Sequence, residues 1–312
     1  MSAIPSPDRP LRLGTRGSPL ALAQAREARA RLMAAHGLPE AAFEIVVIRT
    51  TGDKVTDRPL GEIGGKGLFT REIEEALLAG AIDAAVHSMK DMPTLLPEGL
   101  AIACLLPRED PRDAYVSLAH ASLAEMPAGA VVGTSSLRRR AQMLNRHPGL
   151  RVVEFRGNVQ TRLRKLQEGV AEATFLAAAG LRRLGRDDVI RAVMDADEML
   201  PAVAQGAIGL ETRAADAATR ALLAPIHDTP TGIRIAAERA FLAGLDGSCR
   251  TPIAGLAEIM GERLRLRGEI IRPDGTERLA TERSGPLSDA AAMGADAARE
   301  LRARAGPGFF DA

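Results

Sequence analysis

The chain has 312 residues, with 41 basic and 40 acidic side chains and a formal net charge of +1. This balance excludes a bulk attraction to nucleic acid or to an anionic membrane, so any charged ligand must be met by local clusters. The length predicts two or three domains, each able to bury a core. Seven Phe, one Tyr and no Trp disfavour a single-strand nucleic-acid groove, which needs aromatic stacking platforms.

The amino-terminal part of the chain predicts alternating strands and helices. A strand over 11–14 precedes a helix that opens at Pro19 and ends near Gly37, and a second strand covers 43–48. Apolar residues at helical spacing predict another helix around 68–78, and a short buried strand follows at 84–86.

A second series of the same kind begins near Asp113. Strands are predicted at 130–132, 151–155 and 173–176, and each feeds a helix. Such alternation favours parallel or mostly parallel sheets with ligands beyond the carboxyl ends of the strands. Past Pro230 the pattern changes to one long helix, several short strands, a turn at 273–275 and an Ala-rich helix, which predicts a separate α+β module.

The two cysteines, Cys104 and Cys249, stand in no CxxC pair and beside no His cluster. This spacing disfavours zinc, dithiol redox chemistry and a disulfide framework. The first nine residues lack the apolar segment of a signal peptide, and no apolar run of about 18 residues follows. We therefore expect a cytoplasmic protein.

Basic residues concentrate between positions 138 and 165, a segment that contains nine Lys and Arg residues and only one acidic residue, Glu154. Arg138 and Arg139 fall in the first turn of a predicted helix, which Ser135 or Ser136 caps. The helix dipole opposes cations at this end unless an anion binds between them.

The segment Arg156-Gly157-Asn158 repeats this arrangement, with Arg162 one turn later. Guanidinium groups bind carboxylates with two parallel hydrogen bonds, so two such helix starts favour a ligand with several carboxylates or phosphates. A solvated basic helix face is the alternative for any single arginine.

Phosphate-binding motifs are not met by the glycine-rich stretch at 64–67. Leu60 stands where a P-loop needs its first Gly, and Gly67 stands where it needs Ser or Thr. Thr70 stands where a dinucleotide fingerprint needs its third Gly. Neither nucleotide site is predicted.

Two further positions carry reactive groups. Asp91 follows a predicted strand at the edge where α/β proteins bind ligands. A partly desolvated carboxylate at this position would stabilise a developing cation. The alternative is that this Asp, which precedes a Pro-containing turn, only forms the turn. Cys249 lies in a loop beside Arg250, which favours a thiolate and covalent attachment, whereas Cys104 has the aliphatic surroundings of a core residue.

Taken together, these segments resemble the porphobilinogen deaminases, also called hydroxymethylbilane synthases, of tetrapyrrole synthesis. The resemblance covers nearly the whole chain. It rests on LGTRGSPLA at 13–21, GGKGLF at 64–69, HSMKD at 87–91, REDPRD at 108–113, GTSSLRR at 133–139, RGNV at 156–159, Gln205-Gly206 and GSC at 247–249.

For the fold, the resemblance implies an α/β protein of two periplasmic-binding-protein-like lobes with mixed sheets, plus a C-terminal α+β domain. Domain 1 would be discontinuous, over 1–106 and 206–226. Domain 2 would cover 107–205, and domain 3 would cover 227–312 and carry the cofactor cysteine. The family also implies a monomer.

For the chemistry, the resemblance implies an enzyme that joins four porphobilinogen units head to tail onto a covalently bound dipyrromethane, with loss of ammonia. Hydroxymethylbilane is then hydrolysed off. The dipyrromethane would be attached to Cys249 through a thioether, with no metal and no nucleotide. Each pyrrole ring carries an acetate and a propionate, which accounts for the clustered arginines.

The resemblance also assigns roles to single residues. Asp91 matches the catalytic acid, with Lys90 beside it, and Arg140 and Arg164 match no role. The cofactor would be held by Cys249, Thr134, Ser135, Ser136, Arg138, Arg139, Arg162, Lys90 and Asp91. The substrate would be bound by Arg16, Ser18, Arg156, Arg162, Arg183 and Gln205, and by Lys66 and Phe69 on a loop over the cleft.

Two other classes compete with this interpretation. A non-catalytic two-lobed anion-binding protein would explain the lobes and the arginines but not Cys249. A nucleic-acid-binding protein would explain the basic segment, but the aromatic content and the net charge disfavour it.

Overall fold

The computed structural model describes residues 4–51, 70–247 and 251–311. Its strands are β1 Leu11–Arg16, β2 Phe43–Ile48, β3 Ala84–Ser88, β4 Leu100–Leu105, β5 Asp113–Ser117, β6 Val131–Gly133, β7 Arg151–Val153, β8 Ala173–Ala177, β9 Ala192–Val193, β10 Ile208–Arg213, β11 Ile253–Met260, β12 Arg263–Ile271 and β13 Arg278–Pro286. Its α-helices are α1 Pro19–His36, α2 Arg71–Leu78, α3 Leu137–Arg146, α4 Val159–Gln167, α5 Ala178–Arg183, α6 Ala217–Leu223, α7 Thr229–Gly244 and α8 Ala290–Ala305.

The chain divides into two compact units. Unit 1 comprises Met1–Arg108 and Ala207–Gly232, and unit 2 comprises Glu109–Gly206 and Ile233–Ala312. The boundaries of the three domains inferred from the resemblance remain a prediction.

Unit 1 is built on a five-stranded mixed sheet in the order β2-β1-β3-β10-β4. Strand β1 pairs in parallel with β2 and β3, whereas β10 lies antiparallel between β3 and β4. Alternate residues of the strands point to opposite faces, so the sheet buries two cores. One includes Leu13 and Leu32 of α1, and the other includes Ile73 and Leu77 of α2.

Local signals set the ends of α1 at the edge of this sheet. Ser18 caps the helix by accepting a hydrogen bond from the Ala21 N–H, and Pro19 occupies its first turn. Gly37 ends the helix in the left-handed conformation, with φ of 64°. The predicted helix is confirmed at both ends.

Unit 2 contains a second mixed sheet in the order β7-β6-β8-β5-β9. Strand β6 pairs in parallel with β7 and β8, and β5 lies antiparallel between β8 and β9. Tyr115 and Phe175 pack on one face, and Phe155 packs on the other. In each sheet, therefore, one antiparallel strand follows the three parallel strands in the sheet order.

A three-stranded antiparallel sheet, β11-β12-β13, forms the rest of unit 2 with α8 and most of α7. The helices approach closely, because a Cβ at Gly294 would lie 2.1 Å from the carbonyl oxygen of Ala237. Asn145 at the end of α3 donates a hydrogen bond to the carbonyl of Gly275 in the predicted turn. The strands span eight or nine residues, longer than the short strands expected.

The predicted fold class, with two mixed-sheet lobes and an α+β module, is confirmed. Alternation alone predicted parallel or mostly parallel sheets, and in each sheet four strands run in one direction while one strand, β10 or β5, runs antiparallel to its neighbours. None of the helices in the described part of the chain combines the length and apolarity needed to cross a membrane.

Candidate active site

A pocket of unit 1 opens where β1 and β3 end. These strands are parallel neighbours, so their carboxyl ends meet at one edge of the sheet, next to the start of α1. The fold therefore brings together residues that lie far apart in the sequence. The pocket is lined by Arg16, Ser18, Leu20, Ala21, Gln24, Thr70, Val86, His87, Ser88 and Asp91.

The turn Met89–Asp91 follows β3 directly and presents Lys90 and Asp91. Its anchor is Met89, which is buried and whose N–H donates to the carbonyl of Ala207. A Cβ at Gly209 would lie 2.2 Å from the Met89 sulfur, so this glycine makes room for the anchor. Lys90 is half-buried, whereas Asp91 is exposed rather than partly desolvated as expected.

A buried acid-base pair supports the same edge of unit 1. The Nε2 atom of His87 lies 3.0 Å from an Oε2 atom of Glu211 on β10, and both side chains are almost fully buried. Burial also raises the pKa of Glu74, a neighbouring carboxyl on α2. Sequence reasoning missed Glu211, because it comes 124 residues after His87 and carries no local signal.

The loop from β6 to α3 contains the three predicted hydroxyl residues. The Thr134 hydroxyl accepts a hydrogen bond from the Ser136 N–H, and the Ser135 hydroxyl accepts one from the Phe155 N–H. Ser136 is the helix cap, with its hydroxyl 3.4 Å from the Arg139 nitrogen. The loop is thereby held in one shape at the positively charged end of α3.

Arg138 and Arg139 are buried at the start of α3, where both contact Asp113. The Arg138 Nη2 lies 2.6 Å and the Arg139 Nη2 lies 2.7 Å from oxygens of this carboxylate. Although burial opposes its ionisation, the two arginines hold the pKa of Asp113 well below its usual range. An anion was expected between these cations, and the chain itself provides one.

Arg156 and Arg162 form no ion pair with an acidic side chain in the described residues, although the charge of Glu154 acts on Arg162 and favours its charged form. The Arg156 Nη1 and the Arg162 Nε are buried and have no hydrogen-bond partner there. Burial lowers the pKa of Arg162 to about 10, and the charges of Arg139 and Arg156 act in the same direction. Buried donors without partners are costly, so these atoms suit an anionic ligand.

Arg183 and Gln205 lie where the chain leaves unit 2. The Arg183 Nη2 donates to the carbonyl of Gly206, and the Gln205 amide donates to Pro111 and to Asp113. Gln205 is only 1% exposed. Their assignment to substrate binding stays a prediction.

Three predicted site residues, Lys66, Phe69 and Cys249, lie outside the described residues, as does Arg250. Cys104 is buried, and burial raises the pKa of its thiol to about 12, which confirms its prediction as a core residue. Among the described residues, no group of three or more His, Cys, Asp or Glu side chains is arranged to hold a metal ion.

Two family models match this chain. The model "Porphobilinogen deaminase, dipyromethane cofactor binding domain" covers residues 11–221, and "Porphobilinogen deaminase, C-terminal domain" covers residues 233–303. The chain belongs to the porphobilinogen deaminase family. Both the predicted family membership and the predicted dipyrromethane cofactor are thereby confirmed.

Curated relatives of the porphobilinogen deaminase family match over almost their full length. The porphobilinogen deaminase of Paracoccus denitrificans (strain Pd 1222) is 68% identical over 311 residues, which cover 100% of this chain and 99% of that protein. The porphobilinogen deaminase of Nitrobacter hamburgensis is 57% identical over 298 residues, which cover 96% of this chain and 94% of that protein.

Solved structures match more distantly. The methionine-binding protein MetQ is 14% identical, with a TM-score of 0.45, and the match covers 71% of this chain and 91% of that chain. A periplasmic substrate-binding protein from Coxiella burnetii is also 14% identical, with a TM-score of 0.43, covering 71% of this chain and 93% of that chain.

Proposed function

We propose that this chain is a transferase that condenses four porphobilinogen units head to tail, with loss of ammonia, and releases hydroxymethylbilane. The observation that carries the proposal is the pair Arg156 and Arg162, whose buried donors have no partner among the described residues. They fit the acetate and propionate groups that every pyrrole ring brings. The matches to porphobilinogen deaminases over the full chain support the same activity.

Asp91 is the proposed catalytic group. Its carboxylate lines the pocket of unit 1, where it would accept hydrogen bonds from pyrrole N–H groups. When the C–N bond of the protonated aminomethyl group breaks, its nitrogen leaves as ammonia and the methylene carbon stays on the ring, so the methylene-pyrrole becomes cationic, and the carboxylate would stabilise this charge. Lys90, on the same turn, supplies a cation for a carboxylate of the reacting ring.

Arg16 and Ser18 are proposed to bind the incoming substrate. Both line the pocket that contains Asp91, and Ser18 also begins α1. A guanidinium group and a hydroxyl at a helix start form a site for one carboxylate. Further substrate contacts are proposed for Arg156, Arg162, Arg183, Gln205, Lys66 and Phe69.

Cys249 is proposed to hold the dipyrromethane through a thioether. When bound, this group supplies the free pyrrole carbon to which the first substrate unit is joined. The chain would neutralise its carboxylates and orient its rings with residues of the β6–α3 loop, of α3 and α4, and of the turn after β3. These residues are Thr134, Ser135, Ser136, Arg138, Arg139, Arg162, Lys90 and Asp91.

The test is to mix purified protein with porphobilinogen and to measure the ratio of ammonia to linear tetrapyrrole released. We expect four ammonia molecules for each linear tetrapyrrole released. The Arg164→Leu variant, which changes an exposed arginine on the same helix as Arg162, serves as a control and should give the same ratio. Binding of porphobilinogen without release of ammonia would instead support a non-catalytic anion-binding protein. The cytoplasmic location and the monomeric state remain predictions.

A further inference from the structure

Asp113 is a buried carboxylate to which no role was assigned from the sequence. It is the first residue of β5, four residues after unit 2 begins at Glu109. Its side chain is fully buried. A buried carboxylate must be paired to remain ionised, so its partners define what it does.

Four hydrogen bonds from three side chains converge on the two oxygens of Asp113. Oδ2 accepts from the Arg138 Nη2 at 2.6 Å. Oδ1 accepts from the Arg139 Nε at 3.2 Å, from the Arg139 Nη2 at 2.7 Å and from the Gln205 amide at 2.9 Å. One carboxylate therefore holds both guanidinium groups and the segment through which the chain leaves unit 2.

Main-chain carbonyls complete the orientation of the two arginines. The Arg138 Nη1 donates to the carbonyl of Leu200, and the Arg139 Nη1 donates to the carbonyl of Phe175 at the end of β8. The Nε of Arg138 stays buried without a hydrogen-bond partner among the described residues. Each guanidinium plane is thus fixed from two sides, while donor capacity remains for a ligand.

A purely stabilising role explains this arrangement poorly. Removing three charged groups from water is costly, and apolar side chains of the same volume often stabilise a core equally well. A carboxylate that fixes two cations at a helix start instead sets their geometry before a ligand arrives, which lowers the cost of ordering them on binding.

We propose that Asp113 is a positioning residue that presets Arg138 and Arg139 to receive the carboxylates of the dipyrromethane. The inference rests on the proposed cofactor-binding role of these two arginines. In the described part of the chain, the hydrogen bonds of the Asp113 carboxylate come from the two arginines and Gln205, so its effect on cofactor loading passes through them.

The test measures how fast cofactor-free protein gains the mass of two pyrrole units after mixing with porphobilinogen, by intact mass spectrometry. In Asp113→Asn we expect loading at least about tenfold slower than in the wild type, because the side chain loses its negative charge and one acceptor oxygen becomes an NH2 donor that faces a guanidinium group. The matched control is Asp110→Asn. Asp110 is also ion-paired with two arginines, Arg112 and Arg182, but does not contact Arg138 or Arg139.

A double-mutant cycle with Arg139→Gln separates positioning from general destabilisation. If Asp113 acts through Arg139, the double variant loads the cofactor faster than expected from multiplying the fold reductions in loading rate of the two single variants. Asp113→Glu is the second variant: it keeps the charge but displaces the carboxylate, so its slower loading cannot arise from an unpaired cation. Melting temperatures confirm that each variant is folded during the assay.

Wild-type loading in folded Asp113→Asn or in Asp113→Glu would overturn the inference, as would strictly additive losses in the cycle. Failure of the proposed function looks different. In that case the wild-type protein would gain no two-pyrrole adduct, and no variant would differ from it.

Discussion

Single residues meet two electrostatic demands in this molecule. The exposed carboxylate of Asp91 lines the pocket of unit 1 and is proposed to stabilise a developing cation, and the arginines of unit 2 are proposed to bind the carboxylates of the pyrrole rings. Asp113 forms ion pairs with Arg138 and Arg139, whereas Arg156 and Arg162 form none within the described residues. Arg138, Arg156 and Arg162 each keep one buried donor without a hydrogen-bond partner there. The two pairs of arginines therefore differ in how much charge they leave for a ligand.

Replacing the carboxylate of Asp91 tests its proposed role directly. Asp91→Asn should fold and carry the dipyrromethane, because the side chain is exposed and lies outside the core. Turnover should fall by about two to three orders of magnitude, since a neutral amide cannot stabilise a developing cation. Steady-state rates beside the intact mass of the protein check both parts. Turnover within threefold of the wild type would remove Asp91 from the chemistry.

Arg162 and Arg164 form a matched pair on α4. Arg162→Leu should slow cofactor loading or chain elongation by about 10–100-fold, the loss expected for one charged hydrogen bond. Arg164→Leu should have no effect, because this side chain is exposed and only reaches Glu168 at 3.7 Å. Single-turnover kinetics measure elongation, and equal rates in the two variants would contradict a carboxylate-binding role for Arg162.

Sequence alone identifies the clustered arginines better than the residues that pair with them. The spacing of Arg138 and Arg139 after Ser136 is a local signal, so an anion near them could be predicted. Asp113 lies 25 residues upstream of Arg138, and nothing local connects the two. Long-range pairs of this kind require the tertiary fold, which brings β5 next to β8 and under the start of α3.

At the scale of elements, the two mixed sheets share one design. Three parallel strands present their carboxyl ends at one edge of each sheet. An antiparallel strand follows them in the sheet order, β10 in unit 1 and β5 in unit 2, and each of these strands begins shortly after the chain passes from one unit to the other. Helix ends and the first parallel strands could be predicted, because Pro19, Gly37 and apolar runs mark them. Strand direction could not, because periodicity reports burial and not orientation.

Gly206 is the last residue of unit 2 before β10, and the substitution Gly206→Ala tests how tightly the chain is packed at this position. Its φ is 89°, and a Cβ would lie 2.4 Å from the carbonyl oxygen of Glu109. Gly185 also has a positive φ but has open space around its Cβ position. In Gly185→Ala we expect a loss of about 1–2 kcal/mol in the free energy of unfolding, from backbone strain alone. Gly206→Ala should lose at least about 1 kcal/mol more.

Urea denaturation of the two glycine variants provides the comparison, with free energies extrapolated to water. The backbone oxygen of Glu109 cannot move aside as the end of a flexible side chain can, so the extra loss should persist. Equal losses in Gly206→Ala and Gly185→Ala would contradict the close approach of the two segments.

At the scale of the whole molecule, the proposed roles divide between the units. Unit 1 presents the pocket with Asp91, and unit 2 contains the arginine cluster together with the C-terminal α+β module. Within unit 2, the Glu238 carboxylate accepts hydrogen bonds from the N–H groups of Ala204 and Ala257, which ties the α+β module to the segment before Gly206.

The proposed function depends above all on covalent attachment of a two-ring cofactor through Cys249. The two cysteines allow a matched comparison, because Cys104 is buried in the core of unit 1 with a thiol pKa raised to about 12. The most direct measurement is the intact mass of wild-type, Cys249→Ala and Cys104→Ala proteins produced in a host that makes porphobilinogen.

We expect the mass of two pyrrole units on the wild type and on Cys104→Ala, and none on Cys249→Ala. Because burial keeps the Cys104 thiol protonated, it should not replace Cys249 as the attachment point. An unmodified wild-type mass that persists after incubation with porphobilinogen, or an adduct that survives in Cys249→Ala, would contradict the claim.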